Sequence, residues 1–218
     1  METNTIQIKT LVISIALIIP VEIFFGWFLF SHLPNRFLAL GGMRILEMIM
    51  LITATMYFEG GLEAIGLTPR LSLYGIKKGL LWSACLATSA VILHIVLLSA
   101  GINALAWIRT PIPTSHQALI LFFIVGGIIS PVVEEIFFRG ILFGFFRRWG
   151  ATTAVVLSTI LFVIPHLKRG TIPVTQMVGG VVFAAAYEKE KGLAAPIIIH
   201  SLGNLSIFSL SLMPQMVQ

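Results

Sequence analysis

The chain has 218 residues, a formal net charge of +5, 57% hydrophobic and only 11% charged residues, and a mean hydropathy of +1.00. A soluble domain carries about 25% charged residues, so this composition excludes an ordinary globule and points to a membrane protein. The basic excess is not a nucleic-acid signature, because the fourteen basic residues fall mostly in short loops between apolar runs, where they set topology. All nine acids are glutamates, and the single cysteine, Cys85, excludes an internal disulfide or a cysteine metal cluster.

A membrane-spanning helix needs ~20 apolar residues. Seven candidate runs follow in order. The first, about Thr10 to Phe30, contains Pro20 and Glu22. Only Lys9 carries positive charge ahead of it, so the N-terminus does not read as a cleavable signal. Glu22 is expected to face the bundle interior or to lie near a kink. The second run, about Phe37 to Phe58, carries Arg44 and Glu47, three apart and able to pair on one helix face as a packing ion pair. The stretch Glu59 to Lys78 reads as a loop with a short amphipathic element on the membrane surface. The third run, about Gly79 to Ala100, contains His94, expected to be a hydrogen-bonded packing residue. Trp107, in the proline-rich loop that follows, suits an interfacial anchor, and His116 should be solvated.

The fourth run, about Gln117 to Phe146, would be ~45 Å long as a helix, longer than a ~30 Å hydrocarbon layer. It must tilt, bend or protrude, and Gly126, Gly127 and Pro131 supply places to bend. Inside it lie Glu134, Glu135 and Arg139. One charge at bilayer depth costs ~2.5–3.5 kcal/mol on insertion scales, so three within six residues suggest use. Glu135 and Arg139 are four apart and can pair; Glu134 is turned about 100° away and left without a partner in the motif. The fifth run, Ala151 to Leu167, carries Phe162, Pro165 and His166. The sixth, about Ile172 to Tyr187, has Gly179 and Gly180 for close helix approach. The seventh, about Leu193 to Met213, carries His200 and Asn204.

The expected fold is all-α, a polytopic membrane helix bundle of about seven transmembrane helices, within a range of six to eight. Residues 1–116 would hold the N-terminal transmembrane helices and the surface loop, and 117–213 the helix core, in one integrated membrane domain. Loop charges place eight basic residues on the side of the N-terminus and four on the other, which predicts a cytoplasmic N-terminus. Lys168 and Arg169 sit awkwardly in that scheme.

Glu134 lies thirteen residues from Arg147, His166 fifteen from Ala151 and His200 nine from Lys191, roughly 20, 22 and 14 Å of helix. With tilts, these side chains can meet in one intramembrane layer. His200 and Asn204 are four apart and share a face. A carboxylate in a low-dielectric cavity suits general acid–base work near neutral pH, and a histidine beside it can hold a water. A second histidine and a carboxamide can donate to an oxyanion. This set supports attack of water on an amide carbonyl. The same set could hold zinc through Glu134, His166 and His200. No Gly-x-Ser-x-Gly elbow surrounds Ser130 or Ser201.

Glu134-Glu135-x-x-x-Arg139, Phe162-x-x-x-His166 and His200-x-x-x-Asn204, in that order and on separate apolar helices, resemble the three motifs of the CPBP (CAAX protease and bacteriocin-processing, or Abi) family of intramembrane proteases. The resemblance covers about Ala118 to Leu212, and Gly61 to Leu67 also looks like the family's upstream loop. It implies an intramembrane endopeptidase. Glu134 would be the base that activates water, with His166 helping and His200 and Asn204 lining an oxyanion site. Glu135 and Arg139 would steady the site, with Phe162 supporting. Family members are described both as glutamate-dependent enzymes and as metalloproteases. The metal-free form is favoured here because Asn204 is a poor zinc ligand, and zinc stays open. Pro165, directly before His166, departs from the pattern; it either kinks the helix and aims His166 or alters the site. The short loops and small size suggest a member in a prokaryotic plasma membrane. Its partners would be the bilayer and a peptide or protein substrate, such as a C-terminal or precursor peptide, with no nucleic acid and the oligomeric state open. Two alternatives are a non-enzymatic bacteriocin-immunity or partner-binding membrane protein on the same scaffold, and an ion or proton carrier using Glu22, Glu47 and Glu134.

Overall fold

A computed structural model describes residues 5–26, 35–167 and 172–216, with the side chains of 69–71 and 214–216 left undescribed. Lys168 and Arg169 therefore lie outside the described residues. Among the described residues each of the seven apolar runs forms a helix, residues 27–30 of the first run lying outside them: α1 Ile8–Phe24, α2 Arg36–Glu59, α3 Pro69–Ser99, α4 His116–Trp149, α5 Ala151–His166, α6 Val174–Glu190 and α7 Ala194–Met216. Arg36–Glu59, Ser72–Ser99, His116–Trp149 and Ala194–Met213 are long and apolar enough to cross a membrane. Helices α1 and α6 have 17 residues each, about 25 Å of helix, just short of a hydrocarbon layer.

Helix α4 runs through the centre. From Gly140 to Phe145 every side chain is buried, whereas most of α3 presents apolar side chains outward. Such a surface suits lipid. As its length requires, α4 is not a regular α-helix. Val125–Ile129 and Ile136–Phe143 are wound as π-helix, with α-helix at Ser130–Glu135 between them. The first π segment falls on Gly126 and Gly127. In a π turn each N–H reaches five residues back, so residue 131 is the natural donor to the Gly126 carbonyl. Pro131 has no N–H to give. The Asn204 side chain takes its place: Nδ2 donates to the Gly126 oxygen at 2.9 Å. This ties α7 to the bend in α4.

Small residues set the other close approaches. A Cβ on Gly180 of α6 would lie 2.7 Å from Thr159 Cγ2 of α5, and one on Gly127 would lie 2.5 Å from Leu205 Cδ2 of α7. The expectation of a surface loop reaching Lys78 fails. A 3-10 turn at Leu62–Ile65 is followed at once by α3, which begins at Pro69. The reason is packing on α7: a Cβ at Gly75 would approach the Ala194 Cβ to 2.8 Å, and one at Gly79 would approach the Ile198 Cβ to 2.7 Å. These glycines form a contact strip, so the early residues fold onto the bundle. His94 also departs from expectation, since its buried Nδ1 has no hydrogen-bond partner among the described residues. His116 is exposed, as read.

Candidate active site

The Glu135–Arg139 pair forms on the inward face of α4, with Arg139 Nη1 3.0 Å from Glu135 Oε1 and both side chains 0% exposed. A buried pair of this kind is stable only where further hydrogen bonds and ring contacts replace water. Arg139 Nη2 donates to the Gly180 carbonyl at 3.2 Å. Its guanidinium lies over the rings of Phe162 at 4.5 Å and Phe183 at 5.2 Å. Gly180 thus has two jobs: its bare Cα lets α6 close on α5, and its carbonyl fixes the arginine.

The same Glu135 Oε1 lies 2.7 Å from His200 Nδ1. A carboxylate accepts, so Nδ1 carries the proton and Nε2 points elsewhere. Nε2 lies 3.8 Å from Glu134 Oε2. That is too long for a direct hydrogen bond, and a contact of this length is often bridged by water. The imidazole is clamped by rings, stacked on Phe183 at 4.6 Å and edge-on to Phe162 at 5.8 Å. Phe162 is almost wholly buried between His200, Arg139 and His166.

His166 closes α5. The helix tightens to 3-10 over Ile164–His166, where Pro165 removes a backbone donor. His166 Nδ1 lies 2.9 Å from the Phe162 carbonyl oxygen. A carbonyl only accepts, so Nδ1 donates and Nε2 is the acceptor nitrogen. Pro165 therefore accompanies a histidine of defined tautomer. Glu134 and His166 line one cavity of about 600 Å³. Glu22, Arg44 and Glu47 line the same cavity. The expected Arg44–Glu47 pair is present at 2.6 Å, and Glu22 joins it at 2.8 Å.

The structure thus joins Glu134, Glu135, Arg139 and His200 through polar contacts, with Phe162 packed on them and His166 on the same cavity. Asn204, one turn beyond His200, is held instead on the Gly126 carbonyl. Among the described residues no three His, Cys, Asp or Glu side chains are gathered closely enough to hold a metal ion. Both histidines are engaged at Nδ1, which leaves Nε2 as the nitrogen that would meet a water or a metal. Sequence reasoning missed the Glu135–His200 bond, the Gly180 carbonyl and the Phe183 stack. The only forewarning was the Gly179–Gly180 pair.

Residues 116–206 match the family model described as type II CAAX prenyl endopeptidase Rce1-like. Two curated relatives align with the chain. YdiL of Bacillus subtilis (strain 168), provisionally named a membrane peptidase, is 33% identical over 100 residues, covering 45% of this chain and 40% of that protein. The membrane-embedded CAAX protease MroQ of Staphylococcus aureus (strain USA300) is 37% identical over 93 residues, covering 39% of this chain and 36% of that protein. The alignments span well under half the length of either relative. No solved structure matches. Over residues 116–206, under half of the chain, this likeness agrees with the resemblance of the three motifs to the CPBP family, and the chain is an integral membrane protein.

Proposed function

We propose that the chain is an intramembrane endopeptidase that hydrolyses a peptide bond with water activated by Glu134. One observation carries the reading. Glu134 lines an intramembrane cavity with its oxygen 3.8 Å from His200 Nε2, while the other nitrogen of that ring is held by a buried Glu135–Arg139 pair. A polar group locked from behind and free in front is the arrangement expected of a preorganised catalytic group.

In this reading a water donates one hydrogen to Glu134 and the other to the bare His200 Nε2, and His166 lies on the same cavity. Glu134 takes one proton as the water oxygen bonds to the carbonyl carbon. The resulting oxyanion is met by an N–H donor; the second N–H of the Asn204 amide is the candidate. When the C–N bond breaks, Glu134 returns the proton to the leaving nitrogen. Glu135 and Arg139 act by positioning His200. The reading is metal-free; Nδ1 engagement leaves each Nε2 as an acceptor for water or zinc alike, so cleavage retained in chelator is the result that supports it. The substrate class is a peptide segment reaching the cavity within the bilayer, such as a C-terminal or precursor peptide. Loop charges favour a cytoplasmic N-terminus in a prokaryotic plasma membrane. Complete retention of the three motifs weighs against a non-enzymatic immunity or partner-binding role.

The test is turnover by the full chain in lipid nanodiscs on a complex peptide library, read as new peptide termini. Glu134→Gln preserves shape and should abolish the wild-type cleavages. Cleavage retained in Glu134→Gln, with an unchanged set of products, would overturn the reading.

A further inference from the structure

We propose that Glu22, Arg44 and Glu47 form a specificity subsite that seats a positively charged side chain of the substrate beside the scissile bond. The inference rests on the hydrolytic reading above and assigns these residues a task that ion-pair packing does not explain.

Glu22 Oε1 and Glu47 Oε2 both take the same Arg44 nitrogen, Nη1, at 2.8 and 2.6 Å. The sharing leaves polar atoms unmet. Glu47 is 0% exposed, yet its Oε1 has no hydrogen-bond partner among the described residues, and neither does Arg44 Nε. A buried polar atom left unpaired costs about 1–3 kcal/mol. Elsewhere the chain builds a saturated ion pair: Arg147 Nε and Nη2 grip the two oxygens of Glu188 at 2.8 Å each, and Lys191 adds a third bond. The Arg44 cluster lacks that closure, as does the Glu135–Arg139 pair, whose Oε2 and Nε are also unmet among the described residues; what sets the Arg44 cluster apart is its half-exposed third member, Glu22, on the cavity wall.

The charge inventory decides what fits. Three carboxylates, Glu22, Glu47 and Glu134, line the cavity against one guanidinium, Arg44. An incoming anion meets net repulsion and few free donors. An ammonium or guanidinium brings the N–H groups that the spare carboxylate oxygens lack. Glu22, with its side chain 44% exposed, is the accessible acceptor. Ile15, Ile19, Val133 and Leu161 line the remaining wall and suit the methylene stem of lysine or arginine. Substrates with a basic residue near the cleaved bond are therefore favoured over otherwise equal substrates with an acidic one.

Two measurements test this. The first is binding to the full chain in nanodiscs, carrying Glu134→Gln so that hydrolysis cannot interfere. The probes are acetyl-Leu-Lys-Leu-amide and acetyl-Leu-Glu-Leu-amide. The lysine peptide should bind about tenfold tighter, and adding Glu22→Gln or Glu47→Gln should erase most of that preference, while Glu22→Asp keeps part of it. The second is the wild-type cleavage profile on the peptide library. Basic residues should be enriched near the cut, and Glu22→Gln should raise KM for those peptides much more than it lowers kcat. Equal affinity for the two peptides, or a preference that survives both glutamine substitutions, overturns the subsite. Failure of the hydrolytic reading is seen separately, as a lysine preference in binding with no Glu134-dependent cleavage.

Discussion

Glu135 and His200 are 65 residues apart in sequence and 2.7 Å apart in space, and their contact sets the tautomer of the histidine that faces Glu134. Arg139, four residues beyond Glu135 on the same helix, donates to the same carboxylate oxygen, Oε1, that His200 meets. Glu135→Gln keeps the size but offers an amide where the histidine needs an acceptor of full charge. Activity on any cleaved peptide should fall ~10²-fold in kcat with little change in KM, since the substitution misplaces a group acting in the transition state. Steady-state kinetics check this; a change confined to KM would contradict it.

Arg139→Ala leaves the Glu135 charge buried and unpaired and empties the space between Phe162 and Phe183. Breaking a buried pair from one side destabilises by about 3–5 kcal/mol. Thermal unfolding of purified protein in detergent should show a clear drop in Tm. Arg139→Lys should recover only part of it, because a lysine cannot hold both the Glu135 oxygen and the Gly180 carbonyl with the same planar fork.

Gly180→Ala puts a Cβ 2.7 Å from Thr159 Cγ2. Overpacking of this kind destabilises by about 1–3 kcal/mol. Thr159→Ser removes that methyl and should rescue much of the loss. Non-additive stabilities in this double-mutant cycle are the expected result.

Asn204→Ala removes the donor to the Gly126 carbonyl, which should destabilise by about 1–3 kcal/mol. Pro131→Ala restores a backbone N–H in the register that this carbonyl lacks, so the cost of Asn204→Ala should shrink in that background. The same four proteins separate scaffold from chemistry: a loss of kcat that persists in the Pro131→Ala background points to donation by Asn204 to the reacting group.

Glu188 sits in the last turn of α6, outside the four long spans. Burial alone would raise its pKa, but hydrogen bonds and charge from Arg147 and Lys191 hold it below the ordinary 4.5. A carboxylate with a lowered folded-state pKa contributes stability above its unfolded value, and that contribution is lost as pH falls through the folded value. Stability measured from pH 6 downward should therefore fall less steeply in Glu188→Gln than in wild type.

Much of this was legible in the sequence because the polar residues are few. In a chain with 11% charged residues, each charge in an apolar run stands out, and helical spacing alone pairs Glu135 with Arg139 and Arg44 with Glu47. Contacts between helices were not legible, since no spacing rule links Glu135 to His200, Arg139 to Gly180 or Glu22 to Arg44. The early start of α3 was hidden for a similar reason. Gly75 reads as a loop residue until α7 is seen to lie against it. Asn204 shows that a motif position can take a second task, here the hydrogen bond that Pro131 cannot make.

The most direct measurement is a comparison of peptide termini produced by wild type, Glu134→Gln and His200→Ala, each as full-length protein in nanodiscs of equal thermal stability, on one peptide library. The account predicts a defined set of wild-type cleavages that both variants lose. Cleavages that persist unchanged in Glu134→Gln would contradict it.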